Sequence, residues 1–530
     1  MTPRRAVWVL VGISALLRLG WSASLGLGND EAYHYLFLKH PAWSYFDHPP
    51  MLAVVEQLSV RLVGGAVSPF GLRLGFVLLF AGSTLIMARL TERLHGPMAG
   101  FLAAFALNIT PYHSVAAGTF VLPDGPLLFF WLLTLDRLIV ALSGDPRKRL
   151  IRGWLWVGLA WGAALLSKYH AVFLPAGAFL YCLVEPSARG WLKRPGPYLA
   201  VACGILCFSP VIWWNATHDW ASFLFQGGRA VGARTFRPDA LASALLGQMC
   251  YLFPWIWYSL IQILFKRSRQ GHPLDRFLIC QSVVPLATFL IVACQRTVLP
   301  HWTLVAFLSL FPLLGQKWSV EPARLRVRLV LMPALLLITA ALVLAQTKTG
   351  FLQRGGAGTL GLIQVSRDPT LDLYGWDQVG RELHRRGLLD DPKTFLFTSS
   401  WYHSGHVAFA TRTNPVPVLC YNARDPRSFA FWSKPEDWLG YDGILVSVNH
   451  RSTEPHVYDR YFTQIDSIGQ FEVERAGAPV RKITLYRCSQ QIQPFPFDVY
   501  RAQTERITSS PDARPGDSAS PTLNGLERPT

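Results

Sequence analysis

A stretch near the N-terminus, GNDEAYHYLFLKHPAWSYFDHPP (28–50), concentrates titratable side chains between two apolar segments. It holds Asp30, Glu31, Asp47 and His48. Carboxylates can take a proton from an attacking hydroxyl group, and imidazoles can donate a hydrogen bond to a phosphate. Charged side chains in a surface loop are most often only solvated. A site is therefore indicated only if other parts of the chain bring similar groups to the same side.

Ionisable residues also interrupt later apolar runs. These residues are Asp124 in TFVLPDGPLLFF, Lys168 in LLSKYHAVF, His218 in IWWNATHDW, and Arg296 and His301 in CQRTVLPHW. Ionisable groups at membrane depth are costly, which makes them candidates for function. Under the topology predicted below, all of them face one side and predict a common cavity. For His218 and His301, a hydrogen-bonded histidine at the membrane interface is an equal alternative.

The composition predicts a membrane protein. Hydrophobic residues make up 51% of the 530 residues, and charged residues only 16%, whereas a soluble domain carries about 25% charged residues. Several runs approach the roughly 20 apolar residues that cross a bilayer. The first run follows Arg4 and Arg5 without a convincing cleavage site, which favours a retained signal anchor.

We predict a polytopic α-helical membrane protein with about eleven spans. The predicted spans are 6–25, 71–90, 97–112, 125–143, 152–166, 168–184, 198–214, 240–262, 277–294, 302–316 and 327–346. An odd number of spans puts the two termini on opposite sides of the membrane. The weakest predictions are the two short spans between 152 and 184, because merging them would invert every later loop.

The net charge of +17 is distributed in short loops. Basic residues cluster near 145–152, 188–195, 265–276 and 321–328. This distribution follows the positive-inside rule for cytoplasmic loops, and it argues against nucleic acid as a partner. The opposite, outer face then receives the 26–70 loop and everything after 347.

The 26–70 loop predicts two short helices that lie on the membrane surface. DEAYHYLFLKH presents Tyr33, Leu36 and Phe37 on one face, and MLAVVEQLSVRLVG follows after the FDHPP turn. Two prolines end the first helix and stiffen the turn. Such a pair of surface helices predicts a docking platform rather than a simple connection.

Residues 347–505 have a different pattern. KTFLFTSS, PVPVLCY, DGILVSV and RKITLYRC are short strand-like runs between helical and turn segments. They predict a small C-terminal α/β domain on the outer face, after a membrane domain at 1–346. The tail at 506–530 is rich in Pro, Ser and Gly and predicts disorder.

A lipid-linked sugar fits a site of carboxylates, cations and aromatic residues at the membrane surface. The donor phosphate needs cations, the acceptor hydroxyl needs a carboxylate base, and a polyprenyl tail needs a groove that faces lipid.

The ordered motifs also resemble a known superfamily. DEAYHY, YFDHPP, LPDGPLLFFW, LLSKYHAVFL, PVIWWNATHDWASFLFQ and LPHW resemble the bacterial GT-C glycosyltransferases of the protein mannosyltransferase-like or aminoarabinose transferase-like kind (glycosyltransferase family 39/83-type). The resemblance covers about 6–346 and a segment at 368–380. It implies an inverting transferase of the bacterial inner membrane that uses a polyprenyl-phosphate sugar on the periplasmic face.

The resemblance also implies roles for individual residues. Asp30 matches the aspartate of the first loop, which acts as the base for the acceptor, and Glu31 either supports Asp30 or caps the helix. Asp47 and His48 match the family element F-E-K-P-P, where the acidic residue lies near a metal or the donor and the lysine contacts the donor phosphate. Because His48 replaces that lysine, Lys168 becomes a rival phosphate ligand.

The remaining candidates complete the predicted cavity. Asp124 resembles the second acidic position of the fold, Arg296 is a third candidate for the donor phosphate, and His218 and His301 line the cavity. A divalent metal ion is left open, with Asp30, Asp47, His48 and His218 as candidate ligands. No metal-binding spacing supports it, and no other cofactor is indicated.

Other functions stay open as alternatives. A membrane transporter or lipid flippase could use the same ionisable cavity on the outer face, although no inverted repeat with broken helices is visible. A binding protein with a membrane anchor would not need so many spans. The acceptor could be a lipid, a glycan or a protein, and the sequence identifies neither it nor the sugar.

Overall fold

The computed structural model describes residues 1–143, 151–230, 235–267, 272–414, 416–449 and 455–497. The predicted tail at 506–530 and most of the basic 145–152 loop lie outside these residues. The helices before the C-terminal sheet are α1 Pro3–Ser24, α2 Asn29–Lys39, α3 Met51–Leu62, α4 Pro69–His95, α5 Pro97–Ile109, α6 Ala117–Thr119, α7 Asp124–Leu142, α8 Ile151–Ser167, α9 Phe173–Val184, α10 Pro195–Ala216, α11 Ala221–Ala230, α12 Pro238–Leu252, α13 Pro254–Arg267, α14 Pro273–Ala293, α15 Leu304–Leu308, α16 Phe311–Ser319 and α17 Leu325–Thr349.

Proline and cap residues set where the long helices begin. Proline fits the first helical turn because the backbone N–H groups there have no partner within the helix. α4 begins at Ser68-Pro69, where the Ser68 hydroxyl accepts a hydrogen bond from the Gly71 N–H at 3.0 Å. α4 ends at Gly96, whose φ of 87° allows an abrupt turn into Pro97 and α5.

The helical part of the predicted fold is confirmed, whereas the number of spans stays a prediction. Among the described residues, six helices are long and apolar enough to cross a membrane, or eight if each of two bent pairs is one span. Some predicted spans are shorter or broken: 97–112 is the 13-residue α5, and 302–316 is divided into a 3₁₀ turn, α15 and α16.

The span predicted over 240–262 is not one continuous helix. α12 and α13 meet there at an angle of 109°. The break lies at Phe253, whose φ of 66° cannot continue a right-handed helix, and Pro254 follows it. The apolar pattern alone did not reveal this break because hydrophobic residues continue through it.

Both helices predicted in the 26–70 loop form, as α2 and α3, but α2 is not a surface helix. Every residue from Glu31 to Phe37 is buried. α2 packs against α3 and against a helix of the C-terminal part of the chain, α19 (Trp401–Ala410). The approach is closest at Gly405, where an added Cβ would lie 2.7 Å from the Ala32 carbonyl carbon.

The C-terminal sheet domain contains the five strands that the described residues form. They are β1 Thr394–Thr398, β2 Val418–Cys420, β3 Asp442–Val448, β4 Phe462–Arg475 and β5 Ala478–Gln491, with helices α18 Trp376–Arg385, α19 Trp401–Ala410 and α20 Phe429–Trp432. The order is β2-β1-β3-β5-β4. The first three neighbours pair in parallel, and β5 pairs antiparallel with β3 and β4. The predicted strands are confirmed as β1, β2, β3 and β5.

Candidate functional site

Asp30 is an exposed residue in the first turn of α2, and both of its sequence neighbours are fixed. The amide group of Asn29 donates to Asp372 Oδ2 at 2.8 Å and accepts from His406 Nε2 at 2.9 Å. On the other side, Glu31 is held in a buried ion pair. The Asp30 carboxylate therefore lies on a rigid backbone and stays open to a reactant.

The Glu31 carboxylate is bonded on both oxygens by the chain around it. Its carboxylate accepts from Arg73 Nε at 2.7 Å and Arg73 Nη2 at 2.5 Å, and these side chains are 3% and 0% exposed. The same carboxylate accepts from the N–H groups of Gly28 (2.9 Å) and Val121 (3.0 Å). Of the two predicted roles for Glu31, the structure supports the helix cap.

Asp47 joins the 26–70 loop to the C-terminal sheet domain. Its Oδ1 accepts from the Tyr33 hydroxyl at 3.2 Å, and its Oδ2 lies 3.3 Å from Arg427 Nη1. The Tyr33 hydroxyl in turn accepts from the Ser428 N–H at 3.1 Å. The Asp47 carbonyl also accepts from Gln226 Nε2 at 2.8 Å. Asp47 is thus held by three separate parts of the chain.

His48 lies among the other charged candidates. Its ring centre is 5.4 Å from that of His34, and it interacts electrostatically with Lys168, Arg427 and Asp124. Burial lowers the pKa of His48 well below its usual range, and the neighbouring cations add to this effect. His48 is therefore neutral at pH 7. It can donate a hydrogen bond to a phosphate, but it does not replace the charge of a lysine.

Asp124 and Lys168 form an ion pair at the start of α7 and the end of α8. Lys168 Nζ donates to both carboxylate oxygens, at 2.9 and 2.8 Å. Tyr112, in a π-helical turn, and His301 line a small cavity with Asp124, and their rings stack with centres 5.6 Å apart. Tyr112 also interacts electrostatically with Asp30. π-Helical turns of this kind are frequent at functional sites.

His218 and Arg296 have contacts of a different kind. The ring of His218 stacks on Trp214 at 4.2 Å and lies 5.8 Å from Phe431. Arg296 Nη1 donates to the Gly228 carbonyl at 2.6 Å. The structure thus brings Asp47, His48, Asp124 and Lys168 together, whereas His218 packs between α10 and Phe431 and Arg296 donates to α11.

The candidate metal ligands do not gather. Within the part of the chain that the structure describes, no three His, Cys, Asp or Glu side chains are arranged to hold a metal ion. Asp30, Asp47, His48 and His218 make the separate contacts given above. Among the described residues, these candidates are not arranged as the ligands of a metal ion.

The sequence did not predict the contribution of the C-terminal sheet domain. Arg427, Ser428 and His406 all contact residues of the 26–70 loop. They follow Asp30 by more than 370 positions in the chain, and no spacing motif connects them. The density of aromatic and charged residues in YNARDPRSFAFW (421–432) was the available signal.

An apolar groove of about 850 Å³ lies near the charged site. Its lining residues include Trp43 from the 26–70 loop and Leu206, Ile212 and Trp213 from α10. The next residue, Trp214, belongs to a buried cluster with Phe46 and Phe225. The cluster is continuous with Asp47, which follows Phe46 directly in the chain.

Comparison with known proteins gives consistent similarities. The family described as dolichyl-phosphate-mannose-protein mannosyltransferase matches residues 47–214. The lipid A galacturonosyltransferase RgtD of Rhizobium johnstonii is 27% identical over 222 residues. That match covers 41% of this chain and 45% of RgtD, so it spans less than half the length of this relative.

Two solved structures resemble nearly the whole chain. They are ArnT from Cupriavidus metallidurans in the apo state and the same protein bound to undecaprenyl phosphate, with TM-scores of 0.59 and 0.60. Each is 15% identical, and each match covers 90% of this chain and 97% of ArnT. At this identity the likeness shows a shared fold, and that fold includes the helices and the C-terminal sheet domain.

Proposed function

We propose that this chain, a member of the GT-C superfamily by its fold and by its sequence similarities, transfers a sugar from a polyprenyl-phosphate-linked donor to an acceptor hydroxyl. The observation that carries the proposal is the environment of Asp30 in the first turn of α2. An exposed carboxylate, Asp30, stands between two fixed neighbours and close to a cluster that contains the cations Lys168 and Arg427.

The donor fits the charged cluster and the groove together. Lys168 is a cation at the end of α8, and His48 can add a neutral hydrogen bond. The groove beside Trp43 and Trp213 is almost entirely apolar, as a polyprenyl tail requires. Two of the similarities support this donor class. The matched family is named for dolichyl-phosphate-mannose, and ArnT has been solved with undecaprenyl phosphate.

The reaction is a displacement with inversion at the sugar. The acceptor oxygen attacks the anomeric carbon while its proton passes to the Asp30 carboxylate. The bond between that carbon and the phosphate oxygen breaks, and its electron pair leaves with polyprenyl phosphate. Lys168 stabilises the growing charge on the leaving phosphate, and Asp124 holds the ammonium group in position.

The setting of the reaction is part of the proposal. We place the site on the periplasmic face of the bacterial inner membrane, with 1–346 as the catalytic membrane domain and 347–505 as a domain that covers it. The basic loops at 188–195 and 321–328 support this orientation. RgtD is named for lipid A, which supports a glycolipid as the first acceptor to test, before glycans and proteins.

The test uses the full-length protein in lipid nanodiscs. Undecaprenyl-phosphate sugars with labelled neutral hexose, pentose or hexuronic acid would be supplied with lipid A, and both labelled product and released undecaprenyl phosphate would be measured. We expect the wild type to transfer at least one sugar. Asp30→Asn should lower the transfer rate by about 10²–10⁴-fold, the range that a general base contributes.

Asp377→Asn is the matched control. Asp377 is also an exposed aspartate in the second position of its helix, α18, and its partner is Arg381. It should transfer at the wild-type rate. Equal rates for Asp30→Asn and wild type would remove Asp30 from the mechanism. Failure of the wild type with every donor and acceptor would overturn the function and favour the transporter alternative, which a lipid translocation assay on the same nanodiscs would then test.

A further inference from the structure

Arg427 occupies an unusual backbone conformation. Its φ is 53°, in the left-handed region that a bulky side chain rarely adopts. Such strain persists only where the surroundings enforce it, and it is concentrated at functional sites. Here the guanidinium lies over the rings of Phe225 (5.1 Å) and Trp401 (4.8 Å). The fold thus holds this cation in one position, between α11 and α19.

The partners of Arg427 leave its hydrogen-bonding capacity incompletely used. Nη1 reaches Asp47 Oδ2 at 3.3 Å, which is long for a charged hydrogen bond. Nε lies 2.9 Å from Asp425 Oδ1, but the pair lacks hydrogen-bond geometry, and Nε has no hydrogen-bond partner among the residues that the structure describes. A guanidinium offers five N–H donors. An oxyanion with better geometry could therefore take the place of Asp47.

The position of Arg427 fits the path of the donor. Phe225, beneath the guanidinium, belongs to the same cluster as Trp214, next to the groove residue Trp213. On its other side, Arg427 lies within electrostatic range of His48, which also faces Lys168. A lipid with its tail in the groove would bring its head group to this point. Lys168 is already engaged by both oxygens of Asp124, so Arg427 is the more available of the two cations.

We propose that Arg427, supplied by the C-terminal sheet domain, binds an oxyanion of the donor and exchanges Asp47 for it. The inference rests on the proposed function, because it assumes a polyprenyl-phosphate donor. The oxyanion is either the donor phosphate or the carboxylate of an acidic sugar. Both present paired oxygens to the planar guanidinium fork. The C-terminal sheet domain thereby becomes part of the donor site rather than only a cover over it.

The experiment measures binding rather than transfer. Full-length wild type, Arg427→Gln and Arg427→Lys in nanodiscs would be titrated with labelled undecaprenyl phosphate, with undecaprenyl phosphate carrying a neutral hexose, and with undecaprenyl phosphate carrying a hexuronic acid. We expect Arg427→Gln to bind about tenfold more weakly, as expected for one lost charged hydrogen bond. Arg427→Lys should recover part of the loss.

Arg412→Gln is the matched control. Arg412 also belongs to the C-terminal sheet domain and also reaches the 26–70 loop, where its Nε donates to the Val67 carbonyl at 3.0 Å, and it lies over Phe409. It should bind all three ligands as the wild type does. The variant Asp47→Asn tests whether Arg427 releases Asp47 when it binds the donor. If it does, Asp47→Asn should bind undecaprenyl phosphate as tightly as the wild type or more tightly.

Each outcome has a distinct meaning. Weaker binding of all three ligands by Arg427→Gln assigns Arg427 to the phosphate, and weaker binding of the uronic donor alone assigns it to the sugar carboxylate. Unchanged affinity for all three, or the same loss in Arg412→Gln and Arg427→Gln, overturns the inference while the proposed function stands. If the wild type binds none of the ligands and transfers no sugar, the proposed function itself falls.

Discussion

The two sides of the 26–70 loop are held by ion pairs that differ in their burial and in their number of hydrogen bonds. On the side of the apolar helices, Arg73 and Glu31 are completely enclosed, and Arg73 also donates to the carbonyls of Ser22, Leu25 and Gly26. On the side of the C-terminal sheet domain, Arg427 and Asp47 meet through one contact of 3.3 Å, and the arginine is 16% exposed.

The two ion pairs differ in how easily a ligand could displace the carboxylate. The Arg73 guanidinium already donates hydrogen bonds to Glu31 and to carbonyl groups at the C-terminal end of α1. A ligand would therefore have to replace several bonds at once. Arg427 would give up one long contact. A saturated buried ion pair thus fixes the loop, whereas an unsaturated pair can exchange a carboxylate for a ligand oxyanion.

The largest expected effect is on the saturated pair. Arg73→Gln should lower the free energy of unfolding by about 3–5 kcal/mol, because it leaves the Glu31 carboxylate buried without its cation. Thermal unfolding in nanodiscs would measure the change. The control is Arg4→Gln, which removes the exposed pair with Glu92 and should leave the free energy of unfolding nearly unchanged, because exposed ion pairs are screened by water. Equal, small costs for both variants would contradict the distinction.

The next effect concerns the packing between α2 and α19. Gly405→Ala should cost about 1–3 kcal/mol, because the new methyl group would lie within 2.7 Å of the Ala32 backbone and backbone cannot give way cheaply. Gly12→Ala is the control, since nothing lies within 4 Å of a Cβ at this helical position. A Gly405→Ala protein as stable as the wild type would show that the sheet domain is not tightly docked on the loop.

The sequence predicted the elements of the fold better than their contacts. Apolar runs gave the helices and four strands, because hydrophobic patterning is local. β4 was missed because FTQIDSIGQFEVER carries many polar and charged residues on a two-sided, partly exposed strand. The bend at Phe253 was missed because a backbone dihedral of this kind leaves no mark in the hydrophobic pattern.

The candidate site shows the same limit. The cluster of titratable groups at 28–50 points to Asp47 and His48, and the cost of ionisable groups at membrane depth points to Asp124 and Lys168. The structure brings these four residues together. The roles of Asp30 and Arg427 depend on tertiary contacts. Local sequence does not distinguish the adjacent carboxylates Asp30 and Glu31, and the proposal of Asp30 as the base rests on the bond between Glu31 and Arg73. Arg427 approaches Asp47 only because the sheet domain folds back onto α2.

A smaller effect should appear on acidification, on the side of the sheet domain. Burial lowers the pKa of His403 to about 3 and that of His406 well below its usual range. The unfolded chain binds a proton at each histidine below about pH 6.5, whereas the folded protein stays neutral, so stability falls as the pH decreases. At pH 5 the loss is at most about 2 kcal/mol for each histidine.

Thermal unfolding at pH 7.5 and pH 5.0 measures this loss. His403→Gln removes one titrating group and should reduce the difference between the two pH values. The control is His384→Gln, which replaces an exposed histidine near the end of α18. An identical pH response in all three proteins would mean that these buried histidines do not weaken the sheet domain in acid.

The smallest expected effect on stability belongs to the unsaturated pair. Arg427→Gln should cost only about 1 kcal/mol, because the contact to Asp47 is long and the Asp47 carboxylate keeps its hydrogen bond from the Tyr33 hydroxyl when the cation is removed. Its effect on donor affinity should nevertheless exceed that of Arg73→Gln measured on the fraction that folds. The two arginines would then have opposite profiles, one acting on folding and the other on binding. A stability cost of Arg427→Gln as large as that of Arg73→Gln would instead make both pairs structural, and the donor would have to rely on Lys168.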